Sequence, residues 1–348
     1  MAPRSKHHLP FVVYELTDAC NQACKFCYNH WKGAECPARP DAPNYPLARR
    51  TLRRLLREAT VGSLSLSGGE PMLMPHIHEL ALKARFAGAN VNLLTNATLL
   101  GDDDIEIFDD LGLGAIQIPI LATDPALHDY TTGLEGSWQR AVAAARKVSA
   151  RKRGWLVPVL IMSRLNAHQV EDILRFYHTE FGASRAMVNR FNIGGLGLRN
   201  AAELNLSRSE LRELFARADR VAGELGMTLQ SGVCTPVCVL DPMDYPNIRF
   251  SHCSTDLSQR PLTVNYRGDV RFCNHSPRVL GNIYTTPLEE IIRTSQEDGY
   301  FDSVPSLCAG CKLWERCKGG CRAASEQLYG SFDRVDPIME NGKLTIDN

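Results

Sequence analysis

The chain has 348 residues, with 39 Lys and Arg against 39 Asp and Glu, and so carries no formal net charge at neutral pH. Such a balance predicts no broad basic surface, and we expect no nucleic-acid partner. The N-terminal residues lack the apolar core of a signal peptide, and no run of about 18 apolar residues occurs. We therefore expect a soluble, cytoplasmic protein without a membrane partner. The length suffices for one large domain and a smaller one.

Short β-branched runs alternate with amphipathic stretches through the first two thirds of the chain. This alternation predicts parallel strands joined by right-handed crossovers, and therefore an α/β fold. Six strand–helix units are too few for a closed eight-stranded barrel. The predicted strands are 11–16, 64–67, 91–95, 115–121, 155–162 and 185–191, and the predicted helices are 47–59, 76–87, 102–111, 137–149, 167–181 and 209–225.

Three cysteines lie close together after the first predicted strand. Cys20, Cys24 and Cys27 follow one another at spacings of four and three. Thiolates are the soft anionic ligands that iron–sulfur clusters take, and three of them leave one iron of a [4Fe–4S] cluster without a protein ligand. A zinc site completed by His30 is the alternative, although structural zinc more often takes paired Cys-x-x-Cys or His-x-x-x-His ligands.

A second motif, Gly68-Gly69-Glu70-Pro71, follows the second predicted strand directly. Glycines at such a place permit close approach of the backbone and unusual dihedral angles. By itself the segment is typical of an ordinary turn.

The last third of the chain has a different composition and is rich in cysteine. Twelve cysteines in a reducing compartment indicate metal or cluster ligation rather than disulfides. Eight thiols are enough for two four-ligand clusters, and a zinc ribbon is the alternative for the last four. Cys36, in the N-terminal part, has no assigned role beyond that of a structural thiol. The eight cysteines beyond Gly232 are Cys234, Cys238, Cys253, Cys273, Cys308, Cys311, Cys317 and Cys321.

The segment Cys20-x3-Cys24-x-Phe26-Cys27 resembles the signature of the radical S-adenosylmethionine (radical SAM) superfamily. The resemblance implies an open, partial (β/α)6 TIM-like barrel with the site at the carboxyl ends of its strands. It also implies that the three cysteines hold a [4Fe–4S] cluster whose fourth iron binds SAM, with Phe26 near the adenine. An electron from a donor such as flavodoxin or ferredoxin then leads to a 5′-deoxyadenosyl radical, which abstracts a substrate hydrogen.

Other segments follow in the order that this resemblance implies. Gly68, Gly69, Glu70 and Pro71 are similar to the motif that receives the amino group of SAM. Asn96 resembles a residue near the SAM ribose, although a plain cap at the end of its strand is an equal alternative.

Two further positions carry weaker SAM-binding predictions. Gln117 lies where relatives often have Ser-Leu-Asp, and Pro119 there replaces a hydroxyl-bearing residue. Arg190, at the end of the sixth predicted strand, is expected near the SAM carboxylate or, alternatively, as a solvated arginine capping that strand.

The C-terminal cysteine spacing resembles the SPASM extension of the same superfamily, which carries two auxiliary iron–sulfur clusters. The resemblance implies a barrel over residues 1–230 and a SPASM domain over 231–348. The first auxiliary cluster would take Cys253, Cys273 and Cys321, with Cys234 or Cys238 as its fourth ligand.

The second auxiliary cluster would take Cys308, Cys311 and Cys317, normally with one later cysteine. This sequence departs from that pattern because no cysteine follows Cys321. The candidates for the vacant position are Asp333, Asp336, Glu340, the spare one of Cys234 and Cys238, and the substrate.

The resemblance places a possible catalytic base beside Cys273, where some relatives have a carboxylate that removes a substrate proton. Asn274 stands there and cannot act as a base. His275 could do so, because the pKa of imidazole lies near neutrality. A packing role for His275 is the alternative.

The resemblance predicts an enzyme, and peptide modification is the favoured activity. The alternative is the tailoring of a small molecule such as a tetrapyrrole, a sugar or another natural-product intermediate. Only 19 residues precede Cys20, so we expect that any leader peptide needs a separate binding protein. A non-catalytic iron–sulfur carrier is the third class, and the SAM-binding segments argue against it.

Overall fold

Eleven strands form one sheet in the part of the chain that this computed structural model describes, residues 6–33, 41–151 and 155–340. In chain order they are β1 (His7–Glu15), β2 (Ala59–Ser67), β3 (Asn90–Leu94), β4 (Ala115–Pro119), β5 (Leu156–Met162), β6 (Arg185–Arg190), β7 (Thr228–Ser231), β8 (Ile248–Phe250), β9 (Leu262–Asn265), β10 (Asp269–Arg271) and β11 (Val279–Asn282).

The strand order is β11-β10-β9-β1-β2-β3-β4-β5-β6-β7-β8, and β1 to β8 each run parallel to their neighbours. The predicted α/β fold with a parallel, open sheet is confirmed. Two parallel strands, β7 and β8, extend the sheet beyond the six that were predicted. The second strand is also longer than predicted, because its first half pairs with the start of β1, from His7 opposite Ala59 onward.

Helices connect the parallel strands from β1 to β7, as the sequence predicted. No helix of the described residues is both long and apolar enough to span a bilayer. The helices are α1 (Tyr45–Glu58), α2 (Ile77–Phe86), α3 (Asp102–Asp110), α4 (Pro125–Thr132), α5 (Ser137–Ser149), α6 (Val170–Phe181), α7 (Leu196–Arg199), α8 (Ala201–Leu204), α9 (Arg208–Leu225), α10 (Leu288–Glu297), α11 (Trp314–Cys317) and α12 (Arg322–Tyr329).

Local sequence signals explain where the longest helices begin and end. In α1 the buried residues Ala48, Thr51, Leu52 and Leu55 recur at helical spacing and form one apolar face. Helix α9 begins with a capping box, in which the hydroxyl of Ser207 accepts from Glu210 N and the Glu210 carboxylate accepts from Ser207 N. It ends at Gly226 with a positive φ of 65°, which suits glycine.

The C-terminal part continues the same sheet. Strand β9 pairs in parallel with β1, with Val12 opposite Leu262, and β10 and β11 add to it in antiparallel fashion. The predicted boundary between residues 230 and 231 falls within β7. The cysteine-rich segment therefore extends from the same hydrogen-bonded framework as the barrel strands.

A buried ion pair joins the end of β6 to the C-terminal segment. The guanidinium of Arg190 contacts the carboxylate of Asp336, and both side chains are almost completely buried. Asp336 also accepts from Cys321 N at 2.7 Å and from Ile338 N at 3.1 Å. Charges removed from water in this way are tolerated because each has several partners.

We expect Arg190→Met to destabilise the protein by about 3–5 kcal/mol, because it leaves the buried Asp336 carboxylate without its cation. The exposed pair of Arg146 and Glu180 supplies the control, and Arg146→Met should cost no more than about 1 kcal/mol. Denaturant unfolding monitored by circular dichroism measures both. Equal losses in the two variants would contradict the structural role of the buried pair.

We also expect a defined acid sensitivity from His128 in α4, whose Nδ1 accepts from Leu121 N at 3.1 Å. Burial lowers the pKa of His128 to about 4. Between the ordinary value of about 6.5 and this lower value the unfolded chain binds a proton that the folded protein does not, so stability falls on acidification by about 1.4 kcal/mol per pH unit. Unfolding curves from pH 7 to pH 4.5 should show a shallower fall for His128→Asn, and parallel curves would refute the assignment.

Candidate functional site

The loop that follows β1 brings its three cysteine thiols together at the carboxyl end of the sheet. Cys27 N donates to Cys24 O at 3.1 Å, which turns the chain between the last two cysteines. Burial raises the pKa of Cys24 well above its usual value, and the neighbouring thiols of Cys27 and Cys20 raise it further. The predicted ligand triad is thus an assembled group of thiols.

The two glycines after β2 pack directly against the backbone of the cysteine loop. Gly69 N donates to Thr17 O at 2.7 Å, and Glu70 N donates to Ala19 O at 2.8 Å. A Cβ on Gly69 would overlap the carbonyl oxygen of Ala19, and one on Gly68 would overlap that of Thr17. Gly68 also has a φ of 134°, a conformation that only glycine adopts readily.

The carboxylate of Glu70 is buried and held by three donors of the chain. Oε1 accepts from Thr95 Oγ1 at 2.6 Å and from Met72 N at 2.9 Å, and Oε2 accepts from Asn96 N at 2.8 Å. Burial raises the pKa of Glu70 to about 7, against these hydrogen bonds, which lower it. Pro71 follows as the first residue of a short 3-10 helix and is itself buried.

Asn96 ties the loop after β3 to the cysteine loop. Its Nδ2 donates to Asn21 Oδ1 at 2.8 Å, and its Oδ1 accepts from the hydroxyl of Thr98 at 2.7 Å. The Asn21 amide in turn donates to Thr98 Oγ1 at 2.8 Å. The segments that the sequence marked as separate SAM-binding motifs therefore form one hydrogen-bonded unit.

These segments surround a cavity of about 230 Å³ at the carboxyl ends of β1 to β6. The three thiols line it, together with Gly68, Gly69 and Glu70. A [4Fe–4S] cluster and SAM fit this donor set, because soft thiols, exposed glycine backbone and a carboxylate converge on one space. The other predicted SAM-binding residues that line the cavity are Phe26, Asn96 and Gln117.

The structure does not bring Arg190 to this cavity, which corrects the expectation of a SAM carboxylate contact. Besides the pair with Asp336, its Nε donates to Thr235 Oγ1 at 3.0 Å and its Nη2 to Cys234 O at 3.1 Å. It is also 4% exposed, so the alternative of a solvated strand cap is equally wrong. Its hydrogen-bonding groups instead connect the end of β6 to the C-terminal part of the chain.

His275 is placed as a packing residue, and the structure does not support its role as a base. Its Nε2 lies 2.8 Å from Ile193 O and its Nδ1 lies 3.3 Å from Asn192 Nδ2, so both ring nitrogens have partners. The ring stacks on Tyr28 with centroids 4.9 Å apart. Burial lowers the pKa of His275 to about 3, so the ring stays neutral.

Three charged residues at or beside the cavity escaped the sequence analysis. Lys32 donates to Gln22 O at 2.9 Å. Burial lowers the pKa of Lys32, but the nearby thiols outweigh this effect and the net shift is upward. Glu15, whose pKa burial raises to about 7, forms a buried pair with Arg271 of β10. Of these three residues, only Lys32 could have been identified from the sequence, because it lies five residues after Cys27.

The C-terminal cysteines separate into two groups. In the first group, Cys234 and Cys253 are direct neighbours, and their contact raises the pKa of Cys234 and lowers that of Cys253. Burial raises the pKa of Cys273, which the nearby Cys253 thiol raises further. Cys321 completes the group, accepting from Asn192 Nδ2 at 3.1 Å.

The second group contains Cys238, Cys308, Cys311 and Cys317, which line one cavity of about 350 Å³ near the surface. Burial raises the pKa of Cys308, and the thiols of the other three raise it further. The eleven described cysteines form no disulfide among themselves, while Cys36 lies outside the described residues. No three His, Cys, Asp or Glu side chains of the described residues are arranged to hold a single metal ion.

Comparison with protein-family models gives two matches in this chain. The radical SAM superfamily model matches residues 14–177, and the model described as an iron–sulfur cluster-binding domain, SPASM, matches residues 253–318. The first match covers the cysteine loop and strands β2 to β5, and it ends before β6. The second begins at Cys253 and ends just after Cys317.

Curated relatives align over nearly the whole chain. The PqqA peptide cyclase of Xanthomonas campestris is 29% identical over 338 residues, which is 94% of this chain and 86% of that protein. The PqqA peptide cyclase of Gluconobacter oxydans is 29% identical over 342 residues, with 94% and 89% coverage.

Solved structures share the fold at low sequence identity. The chain of native anSMEcpe with bound AdoMet superposes with a TM-score of 0.70 at 16% identity, covering 96% of this chain and 95% of that one. Streptococcus suis SuiB bound to the precursor peptide SuiA gives a TM-score of 0.70 at 18% identity, with 95% and 76% coverage.

We expect Gly69→Ala to displace the cysteine loop, because the new Cβ and the Ala19 carbonyl cannot share the same space. The variant should lose iron from the N-terminal cluster and weaken SAM binding by more than tenfold, about 1.4 kcal/mol. Gly101→Ala is the matched control, since its Cβ would meet only the flexible Asp104 carboxylate at 3.4 Å. Iron analysis and equilibrium dialysis with labelled SAM measure the two effects, and normal binding by Gly69→Ala would refute the packing argument.

Proposed function

Since the chain belongs to the radical SAM superfamily and carries a C-terminal SPASM domain, we propose that it modifies a peptide by abstracting a hydrogen atom from one of its residues. The observation that carries the choice of substrate is the alignment with the PqqA peptide cyclases, which spans both domains. Those relatives are named cyclases, so ring closure between two residues of one peptide is the first reaction to test.

The N-terminal cavity has the residues that this activity requires. Cys20, Cys24 and Cys27 would hold the [4Fe–4S] cluster, and the exposed backbone at Gly68 and Gly69 would lie against SAM. Bound there, SAM and the cluster would supply the radical chemistry that removes one hydrogen atom from the substrate. The contribution of the chain is to hold and orient both groups.

Glu70 would orient SAM through its amino group. A carboxylate has about four acceptor positions, and three donors of the chain already occupy Glu70. The remaining position suits one ammonium hydrogen of SAM. Because the three donors fix both oxygens, the carboxylate would lose little conformational entropy when it binds SAM.

Apolar side chains on the strand side would keep water from the reacting atoms. Pro119, Val159 and Ile161 line the same cavity as the thiols. Their presence favours a dry space in which a reactive species meets substrate rather than solvent. A carrier that only stores clusters needs neither this lining nor the packing of Gly69 against the cysteine loop.

Two partners belong to the proposal. A flavodoxin or ferredoxin would supply the electron, and Cys238 and Cys311 of the second group are exposed where such a protein could approach. A separate protein would present the leader part of the peptide. Small-molecule tailoring is the other candidate activity. An assay with a peptide substrate distinguishes it from peptide modification.

The proposal is tested by incubating anaerobically reconstituted protein with SAM and dithionite. We expect 5′-deoxyadenosine from the wild type and none from Cys27→Ala. Absence of 5′-deoxyadenosine from fully loaded wild type would overturn the enzyme assignment.

A second arm adds synthetic PqqA peptide, the peptide in the name of the relatives. Ring closure predicts loss of two hydrogen atoms by mass spectrometry. One would leave with 5′-deoxyadenosine, and the other would leave as a proton and an electron that an auxiliary cluster would accept. Fragmentation locates the ring. An unchanged peptide, together with 5′-deoxyadenosine formation stimulated by a neighbouring pathway's sugar or tetrapyrrole, would favour the small-molecule activity instead.

A further inference from the structure

The second cysteine group contains four thiols, although the sequence pattern accounts for three. Cys308, Cys311 and Cys317 come from the segment before α12, and Cys238 enters the same cavity from the loop after β7. The shell around them is largely apolar and includes Pro236, Val237, Leu307, Leu313, Trp314 and Met339.

The loop after β7 holds Cys238 in place through its own backbone. Val239 N and Leu240 N both donate to Pro236 O, at 2.8 Å and 3.0 Å, and close a turn around Cys238. Arg212 of α9 donates to Cys238 O and to Val239 O, each at 2.8 Å. These contacts hold the backbone at Cys238 independently of any ligand. The Cys238 thiol itself lies 3.6 Å from Met339 Sδ, at the wall of the same cavity.

The same turn contacts another member of the group directly. Val237 N donates to Cys317 Sγ at 3.4 Å, so the residue before Cys238 already touches one of the three expected thiols. Backbone N–H donors to sulfur are the contacts that help to set the potential of iron–sulfur sites. The turn is therefore built into this group and is not an adjacent surface loop.

The carboxylates that the sequence left as candidates are engaged elsewhere. Asp336 pairs with Arg190 and lies beside Cys321 of the first group. Glu340 accepts from Tyr329 OH at 2.6 Å and faces Arg334 at 3.7 Å. The carboxylate of Asp333 accepts from the hydroxyl of Ser331.

Cys234 is likewise committed, because its thiol is the direct neighbour of Cys253. Its carbonyl accepts from Arg190 Nη2, which anchors it on the side of the first group. Of the two cysteines in the loop after β7, Cys238 alone lines the second cavity.

We propose that Cys238 is the fourth ligand of the second auxiliary iron–sulfur site, and that Cys234 is the fourth ligand of the first. One loop thus supplies one thiolate to each auxiliary site. The second site then has four protein ligands and no open iron, so the substrate does not bind to it. This inference rests on the proposed function only in assuming that the SPASM clusters are present.

The test uses full-length protein in which Cys20, Cys24 and Cys27 are replaced by alanine, so that only auxiliary clusters remain. After anaerobic reconstitution this parent should bind about eight irons if both clusters are cubes. Cys238→Ala in the parent should lose up to half of the iron or alter one of two EPR signals after reduction. Cys234→Ala, the matched control four residues away, should alter the other signal.

Two further measurements keep the inference falsifiable if an alanine variant binds iron poorly. Cys238→Ser retains an oxygen ligand and should shift one EPR signal with little loss of iron. Added imidazole should leave the spectrum of the parent unchanged and shift that of Cys238→Ala, where an iron has become accessible. Glu340→Gln and Asp333→Asn should match the parent in iron content and spectrum.

An unchanged spectrum and iron content in both Cys238→Ala and Cys238→Ser would overturn the assignment. So would an imidazole-induced shift in the parent, or loss of one signal in Glu340→Gln or Asp333→Asn. None of these readouts involves SAM cleavage, so a negative 5′-deoxyadenosine assay would not decide them.

Discussion

The close contact between the two glycines after β2 and the backbone of the cysteine loop is the constraint on which the site depends. Gly69 N and Glu70 N donate to carbonyls of residues 17 and 19, and no side chain fits between the two segments. Because β1 and β2 are parallel neighbours with Glu15 opposite Ser67, their following loops emerge side by side. The thiols and the Glu70 carboxylate therefore keep fixed relative positions.

Cations that are partly or fully removed from water lie beside two of the thiol groups. Clustered thiolates repel one another, and a desolvated cation nearby offsets that repulsion. Arg260, which is 6% exposed, has its Nη1 3.7 Å from Cys253 Sγ in the first auxiliary group. At the N-terminal cavity the ammonium of Lys32 has the corresponding position. Each of these two thiol groups thus has a cation of its own, held in place by packing or hydrogen bonds.

The sequence predicted the features that short contiguous motifs encode, and it missed contacts between residues far apart in the chain. The triad of Cys20, Cys24 and Cys27 and the Gly68-Gly69-Glu70 motif are each short local segments, and the structure brings both to one cavity. Arg190 was misplaced because its partner, Asp336, lies 146 residues away and belongs to a different segment. Glu15 and Arg271 were missed for the same reason, since β1 and β10 are separated by most of the chain.

The sequence also could not decide which of Cys234 and Cys238 belongs to which auxiliary site. Both cysteines lie in one loop four residues apart, and their spacing alone permits either as a ligand of either site. The turn around Pro236 O, to which Arg212 of α9 donates, leaves Cys238 at the second cavity and Cys234 beside Cys253. Four extended residues span at most about 14 Å, which is therefore the upper limit for the distance between the Cα atoms of Cys234 and Cys238. Because the strand before this loop, β7, belongs to the same sheet as β1, the sheet also sets where the auxiliary sites lie relative to the N-terminal cavity. The barrel strands and the cysteine-rich segment therefore share one sheet, and this sheet relates the loop after β7 to the N-terminal cavity.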